Sequence, residues 1–400
     1  MEHTIRPQDL VDIIANNDIA AAAAMLATDH TLLETRLPAR LPPHGVPAYT
    51  TPVVIAAAFG KLEMIRFLVK QGADVHVFKD KALRRSATNG HLDVVRFLVE
   101  HDANVHACDD AALRKSAKNG HLDVVHFLVE RGVDVHARED ETLRCSAANG
   151  HLDVVRFLLE RGANIHAIKD EALRWSARNG RLDVVRFLVE HDANVHACDD
   201  AALRKSAKNG HLDVVRFLVE RGANIHAIKD EALRWSARKG HPDVVCFLVE
   251  HDADVHAQED YALRWSAANG HLNVVRFMVE GGANIHVIKD EALRWSAAKE
   301  HLDIVRFLLV HGADAYALDH ATLRKIQPAL LFAEYMAILR IHRVLVQQEN
   351  GTGELPLDDP RVVLSGMVGR DVLARLCALD DVSEEKVAQW VADEGMGIEH

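Results

Sequence analysis

The sequence has few cysteines and prolines and no long apolar run, and each scarcity excludes a class of protein. The five Cys among 400 residues are an odd number without a Cys-x-x-Cys pair, so neither a disulfide framework nor a zinc knuckle is predicted. Ten Pro and 22 Gly are too few for a collagen-like or low-complexity chain. No stretch approaches the roughly 20 apolar residues of a membrane-spanning helix, and no signal peptide is recognisable. We therefore expect a cytoplasmic, intracellular protein without a membrane segment.

A surplus of basic residues is also absent. The chain has 47 Lys and Arg against 59 Asp and Glu, a formal net charge of −12. Residues 51–330 are nearly neutral, with 38 basic and 40 acidic side chains, whereas residues 331–400 hold six basic and 13 acidic ones. A surface that neutralises phosphates needs clustered surplus Lys and Arg. We therefore expect no nucleic-acid partner.

Signatures of catalysis and of metal binding are lacking as well. The sequence contains no Gly-x-Ser-x-Gly, no phosphate-cradling Gly-rich loop and no His-Glu-x-x-His, so we predict a protein that is not an enzyme and uses no cofactor. Nitrogen and sulfur ligands do lie close in sequence at two places, His101, His106 and Cys108, and His191, His196 and Cys198. The second His of each set recurs in repeats without a nearby Cys. We therefore interpret it as a turn residue and predict no metal site.

The dominant feature is an internal repeat of 30 residues. The segment Asn-Gly-His-Leu-Asp-Val-Val-Arg-Phe-Leu-Val-Glu occupies residues 89–100, and copies begin at 119, 149, 179, 209, 239, 269 and, in decayed form, 299. Residues 92–125 and 182–215 are identical over 34 positions. Such a period indicates a stack of supersecondary units, in which length counts repeats and not separate cores.

Each repeat contains two segments with helical periodicity. In residues 110–118 Asp110 is placed to cap a short first helix, and Asn119-Gly120 ends it in the left-handed conformation that these two residues tolerate. The second segment, residues 121–131, is apolar except for a narrow polar stripe, so it must be covered on several sides. Neighbouring repeats can provide that cover, and the sequence predicts an all-α solenoid of helix-turn-helix repeats.

The repeat resembles the ankyrin repeat. Thr51-Pro52-Val53-Val54-Ile55-Ala56-Ala57, Gly60 and Gly72-Ala73-Asp74-Val75 match the family pattern closely. Later repeats are shorter than the family's 33 residues, and the missing residues fall in the finger, the hairpin-like connection that follows the second helix. Glu-Ala-Leu-Arg at 171–174 replaces Thr-Pro-Leu-His. Similar short repeats are abundant in giant viruses and some protists. The resemblance covers roughly residues 51–325. It implies that a protein partner binds in a concave groove lined by fingers and first helices. If the chain is a viral protein or an effector, the expected location is the cytoplasm of a host cell.

The ends read as helical caps, because a terminal repeat needs a polar outer face. We predict an N-terminal cap in residues 1–50, with a helix pair at 7–27 and a Pro-rich loop at 36–50. Residues 51–328 form the solenoid of about nine repeats. Residues 329–400 form a C-terminal helical cap and an acidic tail.

Comparison of the repeats with one another separates constant from variable positions. Leu83, Arg84, Ala87, Gly90 and their equivalents hardly change, and we predict that the constant Arg pairs with the Asp four residues before it. The finger tip varies, as do three first-helix columns that begin at positions 81, 85 and 88 and recur every 30 residues. These columns are spaced i, i+4, i+7 and therefore share one helix face.

The middle column holds four of the five Trp: it reads Arg85, Lys115, Cys145, Trp175, Lys205, Trp235, Trp265, Trp295 and Lys325. Two roles are open for these Trp. They could anchor a partner, since Trp and Arg are favoured at interface hot spots, or they could pack between neighbouring first helices. Lys and Arg in the same column favour a partly solvated position, because buried unpaired charges are costly.

Together these observations predict a monomeric, non-catalytic scaffold that binds a protein partner across residues 171–300. The predicted contact residues are Arg85, Lys115, Trp175, Arg178, Lys205, Trp235, Arg238, Trp265 and Trp295. The alternative is an adaptor or effector whose repeats select a target while residues 330–400 recruit a second complex, such as a ubiquitin ligase. A third possibility is that the near-identical repeats reflect recent duplication and a loosely specified function.

Overall fold

The computed structural model describes residues 7–42, 46–314, 317–319 and 321–322, and the chain divides into two compact units, Met1–Asn224 and Ile225–His400. The predicted C-terminal cap and acidic tail, and Lys325, lie outside the described residues. Among the helices that are described, none combines the length and apolar character needed to cross a bilayer.

The first unit contains fourteen described helices, one 3₁₀ turn and two strands. They are α1 (Pro7–Ala15), α2 (Ile19–Thr28), the 3₁₀ turn (His30–Leu33), β1 (Leu37–Leu41), β2 (Val46–Thr50), α3 (Pro52–Ala58), α4 (Leu62–Lys70), α5 (Val77–Thr88), α6 (Leu92–Glu100), α7 (Ala107–Lys118), α8 (Leu122–Glu130), α9 (Ala137–Asn149), α10 (Leu152–Glu160), α11 (Ala167–Arg178), α12 (Leu182–Glu190), α13 (Ala197–Lys208) and α14 (Leu212–Glu220).

The second unit contains six described helices. They are α15 (Ala227–Lys239), α16 (Pro242–Glu250), α17 (Ala257–Ala268), α18 (Leu272–Glu280), α19 (Val287–Ala298) and α20 (Leu302–Val310). From α3 onwards, odd-numbered helices are the first helices of the repeats and even-numbered helices are the second helices.

Within each unit every first helix packs on the next first helix and on its own second helix, so the predicted helix-turn-helix stack is confirmed. The apolar positions of one repeat form the core of the joint with the next. Leu83, Val94, Val95 and Leu98 are completely buried, and their equivalents in later repeats are buried too. Burial of such a side chain contributes about 1.5–3 kcal/mol, which a single repeat could not obtain without its neighbours.

The N-terminal helix pair is present as α1 and α2, but the prediction of a Pro-rich loop at 36–50 is wrong in its conformation. Strands β1 and β2 pair there as an antiparallel hairpin, with Pro38 opposite Tyr49. Leu37 and Ala39, two residues apart, are buried, and β1 packs against α1 and α3. Pro is compatible with this ribbon because both strands are edges and half of their N–H groups point outwards.

A residue with positive φ follows the first helix of each repeat, and it is Gly, as the Asn-Gly pairs predict, except in the last described repeat, where Glu300 has φ 61°. Gly120 has φ +82°, and a Cβ atom at this residue would lie 2.5 Å from Nδ1 of His151 in the next repeat. The His ring therefore needs the bare backbone of Gly on which to pack. At position 181 the chain has Arg instead, and its side chain occupies the same place over Gly150.

The finger contains three consecutive non-Gly residues in the left-handed region, in place of regular strand. Ile168, Lys169 and Asp170 have φ of 48°, 55° and 54°, and every described finger from 78–80 to 288–290 repeats this conformation. Each such residue costs about 1–2 kcal/mol relative to the right-handed form. Surrounding contacts must offset this cost.

The constant Arg provides one such contact, and the predicted pairing of this Arg with the preceding Asp is wrong. Nε of Arg174 donates to the carbonyl oxygen of Lys169 at 2.9 Å, and Nη2 donates to that of Ile168 at 2.7 Å. The guanidinium therefore holds the carbonyl groups of the left-handed segment. The same pair of bonds is made by its equivalents, Arg84, Arg114, Arg144, Arg204, Arg234, Arg264 and Arg294.

The constant Asp connects two repeats: its side chain bonds to the exit-turn His and to the next repeat, in place of the predicted cap on its own helix. Oδ1 of Asp170 accepts from Nδ1 of His166 at 2.9 Å and from the backbone N–H of Asn194 in the next repeat at 2.8 Å. Asp170 is buried while His166 is largely exposed. This contact accounts for the recurrence of His in the exit turn as a turn residue.

Candidate functional site: the first-helix face

The middle column is partly exposed in both units. Trp175 is 36% exposed, and the side chains of Trp235, Trp265 and Trp295 are intermediate in burial. None of these four Trp belongs to the core, so the partial solvation expected from the alternation of Trp with Lys is confirmed. The face that carries the three variable columns is called the first-helix face below.

The second unit collects aromatic side chains around one guanidinium. The Cζ atom of Arg238 lies 4.8 Å from the ring centroid of Trp235 and 4.1 Å from that of Trp265. Nη1 of Arg238 donates to the hydroxyl oxygen of Tyr261 at 2.9 Å. Trp295 meets Trp265 edge to face, with centroids 5.0 Å apart. These five side chains, called the aromatic cluster, hold one another in place by cation–π and aromatic contacts.

The first unit presents cations on the equivalent face. Arg85 and Lys115 occupy the middle column on neighbouring helices α5 and α7, and Lys81 lies one turn before Arg85. Burial first, and then the positive charge of Arg85, lowers the pKa of the Lys115 ammonium. Burial and then Arg85 likewise lower the pKa of Lys81. These three residues are called the cation row, and in it the charge of Arg85 acts against the charges of both lysines.

Further along the first unit, α11 and α13 place Trp175, Arg178 and Lys205 near one another. Burial lowers the pKa of Lys205, and the charges of Arg174 and Arg178 lower it further. An exposed indole is thus followed by a second group of cations. The structure brings these three predicted residues into one area, and Arg85 and Lys115 into another within the same unit.

The first variable column is only partly free for binding. Nη1 of Arg114 lies 3.1 Å from both carboxylate oxygens of Glu141 in the next repeat. Arg144 pairs with Glu171, and Arg264 pairs with Glu291, in the same way. Glu in this column therefore joins repeats, whereas Lys81 and Tyr261 in the same column face the middle column. Sequence comparison identified the column but not Tyr261 as a member of the site.

The finger tip and the middle column vary together in five of the repeats, although Trp265 has a Gln258-Glu259 tip. Repeats with an Ile-Lys tip carry Trp in the column, and Ile168, Ile228 and Ile288 are 39%, 47% and 40% exposed. Repeats with a Cys-Asp tip carry Lys115 or Lys205. The chain thus uses an apolar and a cationic kind of repeat. Comparison of the repeats identifies these positions as variable but does not single out the exposed Ile side chains as candidate contact residues.

Comparison with known families fits this geometry. The family profile described as ankyrin repeats (3 copies) matches six overlapping stretches that together span residues 24–319: 24–109, 53–139, 104–169, 143–229, 173–259 and 233–319. The chain belongs to the ankyrin repeat family. A search of curated proteins gave no significant match. Membership of this family supports a general role as a protein-protein interaction scaffold.

The histidines of this ankyrin repeat protein have other partners in the two places where metal ligands lie close in sequence. Nδ1 of His101 lies 2.8 Å from the carbonyl oxygen of Phe97 and therefore donates to it, and Nδ1 of His106 donates to Asp110 at 2.9 Å. His191 and His196 repeat these contacts. Over the described residues, no three His, Cys, Asp or Glu side chains converge on a point that could hold a metal ion.

The second helices of the ankyrin repeats carry a different set of arginines. The Cζ atoms of Arg96 and Arg131 lie 5.0 and 4.9 Å from the ring centroid of Phe127. Similarly, Arg186 and Arg221 enclose Phe217. These cations cover buried or nearly buried rings of the stack and are placed to support it. On the first-helix face of the first unit, Nζ of Lys81 lies 5.3 Å from the ring centroid of Phe78.

Proposed function

We propose that this ankyrin repeat protein is a monomeric, non-catalytic scaffold that acts in the cytoplasm. It binds a protein partner through the first-helix face and the fingers, which form the concave side of an ankyrin stack. The observation that carries the proposal is the partial exposure of Trp175, Trp235, Trp265 and Trp295 in one column. Half-exposed Trp and Arg side chains are typical anchors of protein interfaces. Neither nucleic acid nor membrane is part of the proposal.

The aromatic cluster is suited to binding because its side chains are already ordered. Immobilising a flexible side chain on binding costs about 0.5–1.5 kcal/mol. Arg238 is held by two indole rings and by the hydroxyl of Tyr261, and Trp265 is held by Trp295. A partner that covers these rings therefore gains apolar burial with little further loss of side-chain freedom.

The test is capture of proteins from the native cell by the full chain and by two double variants. Trp265→Ala with Trp295→Ala removes half of the column Trp from the first-helix face. Phe277→Ala with Val310→Ala removes apolar side chains that are 37% and 63% exposed on second helices. We expect the Trp variant to capture at least about tenfold less of the partner than the natural chain does, which corresponds to about 1.4 kcal/mol of binding free energy. The control variant should capture as much as the natural chain.

Thermal unfolding of both variants distinguishes binding from packing. A partner anchor leaves the melting curve nearly unchanged, whereas a core side chain costs about 3–5 kcal/mol when it is cut to Ala. Unchanged capture by a folded Trp variant would overturn the proposal.

The adaptor alternative is favoured by one observation, that the family match ends at residue 319 while the chain continues to residue 400. Under this alternative residues 330–400 recruit a second complex. A chain ending at residue 328 would then lose one captured partner and retain another. Loss of no partner by this shortened chain, with an unchanged melting curve, would reject the adaptor.

A further inference from the structure

The cation row of the first unit is unbalanced. Arg85 and Lys115 make no ion pair with any carboxylate among the residues that the structure describes, and neither does Lys81. The nearest acidic side chain in the first variable column, Glu141, is already paired with Arg114 and Arg138. Neighbouring cations that have no carboxylate partner repel one another in the free protein, and an incoming anion would relieve this repulsion.

We propose that the first-helix face of the first unit binds an extended acidic segment of a partner protein, with successive carboxylates paired to Arg85 and Lys115. This inference rests on the proposed scaffold function and names the chemistry of the partner. The occupant is a peptide chain whose carboxylates match the spacing of the repeats.

The spacing follows from two regular geometries. Packed helices lie about 8–10 Å apart, so Arg85 and Lys115 on α5 and α7 are separated by about that distance. A peptide in the extended polyproline II conformation has three residues per turn and rises about 3.1 Å per residue, so side chains three residues apart lie on the same side and are about one repeat apart. Carboxylates three residues apart in the partner therefore reach successive members of the column.

The rest of the column extends the expected pattern. Cys145 carries no charge and burial raises the pKa of its thiol, so it offers an acidic side chain no counter-charge. Trp175 follows with 36% of its surface exposed and suits an apolar or aromatic side chain. Lys205, beside Arg178, suits another carboxylate. At intervals of three residues, the partner segment then reads acidic, acidic, unrestricted, apolar, acidic.

A peptide fits this face better than a nucleic acid does. Double-stranded DNA carries one negative charge per about 1.7 Å of axis, and its binding needs closely spaced cations. Here the column cations are about one repeat apart, and Cys145 and Trp175 interrupt the middle column between Lys115 and Lys205. Acidic side chains also flank it: Asp109 lies 2.6 Å from Arg138, and Glu141 pairs with Arg114. Such alternating charge favours a partner whose carboxylates are separated.

The test measures binding of fluorescent peptides to the full chain by anisotropy. The matched peptide has the acidic, acidic, unrestricted, apolar, acidic pattern at three-residue intervals in a Gly-Ser background, and it is made in both chain directions. The control peptide has the same composition with its acidic residues adjacent. We expect one direction of the matched peptide to bind at least about tenfold more tightly than the control peptide, with the difference reduced by salt.

Two charge variants locate the peptide. Arg85→Ser with Lys115→Ser removes two column cations and should weaken the matched peptide at least about tenfold without lowering the melting temperature, since it removes repulsion. Arg131→Ser with Arg161→Ser removes two exposed cations that stack on Phe127 and Phe157 on the second-helix side. This control should bind the peptide as the natural chain does.

Several results would overturn the inference. Equal binding of matched and control peptides, or tighter binding of a single-stranded oligonucleotide of the same charge, would show a general anion surface. Equal loss in both charge variants would show the same. The scaffold proposal is tested separately by the Trp265 and Trp295 variant in the second unit. Absence of peptide binding therefore does not contradict the scaffold proposal, and peptide binding does not confirm it.

Discussion

Nε2 of His121 lies 3.0 Å from the carbonyl oxygen of Thr88, the last residue of the preceding first helix, and the amide nitrogen of the Asn119 side chain lies 2.7 Å from the same oxygen. The carbonyl groups at a helix C-terminus have no partner within the helix. Here both donors come from the next repeat, so each repeat completes the helix before it. This bond requires that Nε2 of the His carries a proton.

The Gly beneath this His should be sensitive to substitution for two separable reasons. In Gly120→Ala the residue would keep φ near +82°, and its new Cβ would overlap the ring of His151. In Gly132→Ala φ is similar, +84°, but no atom lies within 4 Å of the new Cβ. We expect Gly132→Ala to cost about 1–2 kcal/mol from conformation and Gly120→Ala about 1–3 kcal/mol more from overlap. Urea unfolding measures both. If the two losses are equal, the His contact has no steric importance.

The constant Arg should matter more than the Glu that pairs with it. Arg114→Ala removes bonds to the carbonyl oxygens of Asp109 and Cys108 and an ion pair with Glu141. We expect the free energy of unfolding to decrease by about 2–4 kcal/mol, because each hydrogen bond to a charged group contributes about 1.5–3 kcal/mol and the surrounding structure adjusts in part to the loss. Glu141→Gln should cost less than about 1 kcal/mol, as is usual for a partly solvated ion pair. Similar losses in chemical denaturation would assign the stability to the ion pair instead.

The buried Asp of the finger should be needed at every joint between repeats. Asp170→Ala leaves the N–H of Asn194 and Nδ1–H of His166 without their acceptor, and we expect a loss of about 2–3 kcal/mol. Asp153→Ala, at an exposed position in α10, should change the free energy of unfolding by less than about 1 kcal/mol. Calorimetry of both variants provides the comparison. Equal effects would mean that the Asp170 contacts contribute no net stability.

The second unit should lose stability as the pH falls below neutral, partly through His271. Burial lowers the pKa of His271 from 6.5, and His241 and His301 lower it further, although the bond to the carbonyl oxygen of Arg238 opposes this. The unfolded chain therefore binds more protons than the folded one. The stabilisation is present above pH 6.5 and is lost as the pH falls through the lower folded pKa.

Urea midpoints at pH 8 and pH 5.5 measure this effect. His271→Arg places at this position the residue that the chain itself has at Arg181, where it packs over Gly150. We expect this variant to show a shallower decrease with acidity than the natural chain. An unchanged or steeper decrease would exclude His271 as a contributor.

The helices and the turns between them could be predicted from sequence because their signals are local. Asn119-Gly120 ends the first helix where the structure ends α7, and the apolar pattern of residues 121–131 contains α8. The left-handed finger could not be predicted. Ile168 disfavours this conformation, and no Gly marks it; its support comes from Arg174, whose side chain reaches backward by five and six residues.

The partial solvation of the candidate site could be predicted for a similar reason, while the binding of a partner there stays a prediction. A column that accepts both Trp and Lys must be partly solvated, so its position followed from composition alone. Contacts between repeats were not accessible in this way. Whether a Glu such as Glu171 is free or paired with Arg144, and whether Tyr261 joins Arg238, depends on the packing of neighbouring helices.

The contacts between ankyrin repeats are defined by sequence separation. The Asp bond to the next repeat spans 24 residues, the Arg–Glu pair 27, the Asn bond 31 and the His bond 33, wherever each occurs within a unit. Unequal recombination between gene copies that adds or removes one whole repeat restores all four separations at the new junction, whereas a slip of one residue disrupts them together. Selection can therefore exchange cationic and Trp-bearing repeats as complete parts, and the identical 34-residue segments are the trace that such an exchange would leave.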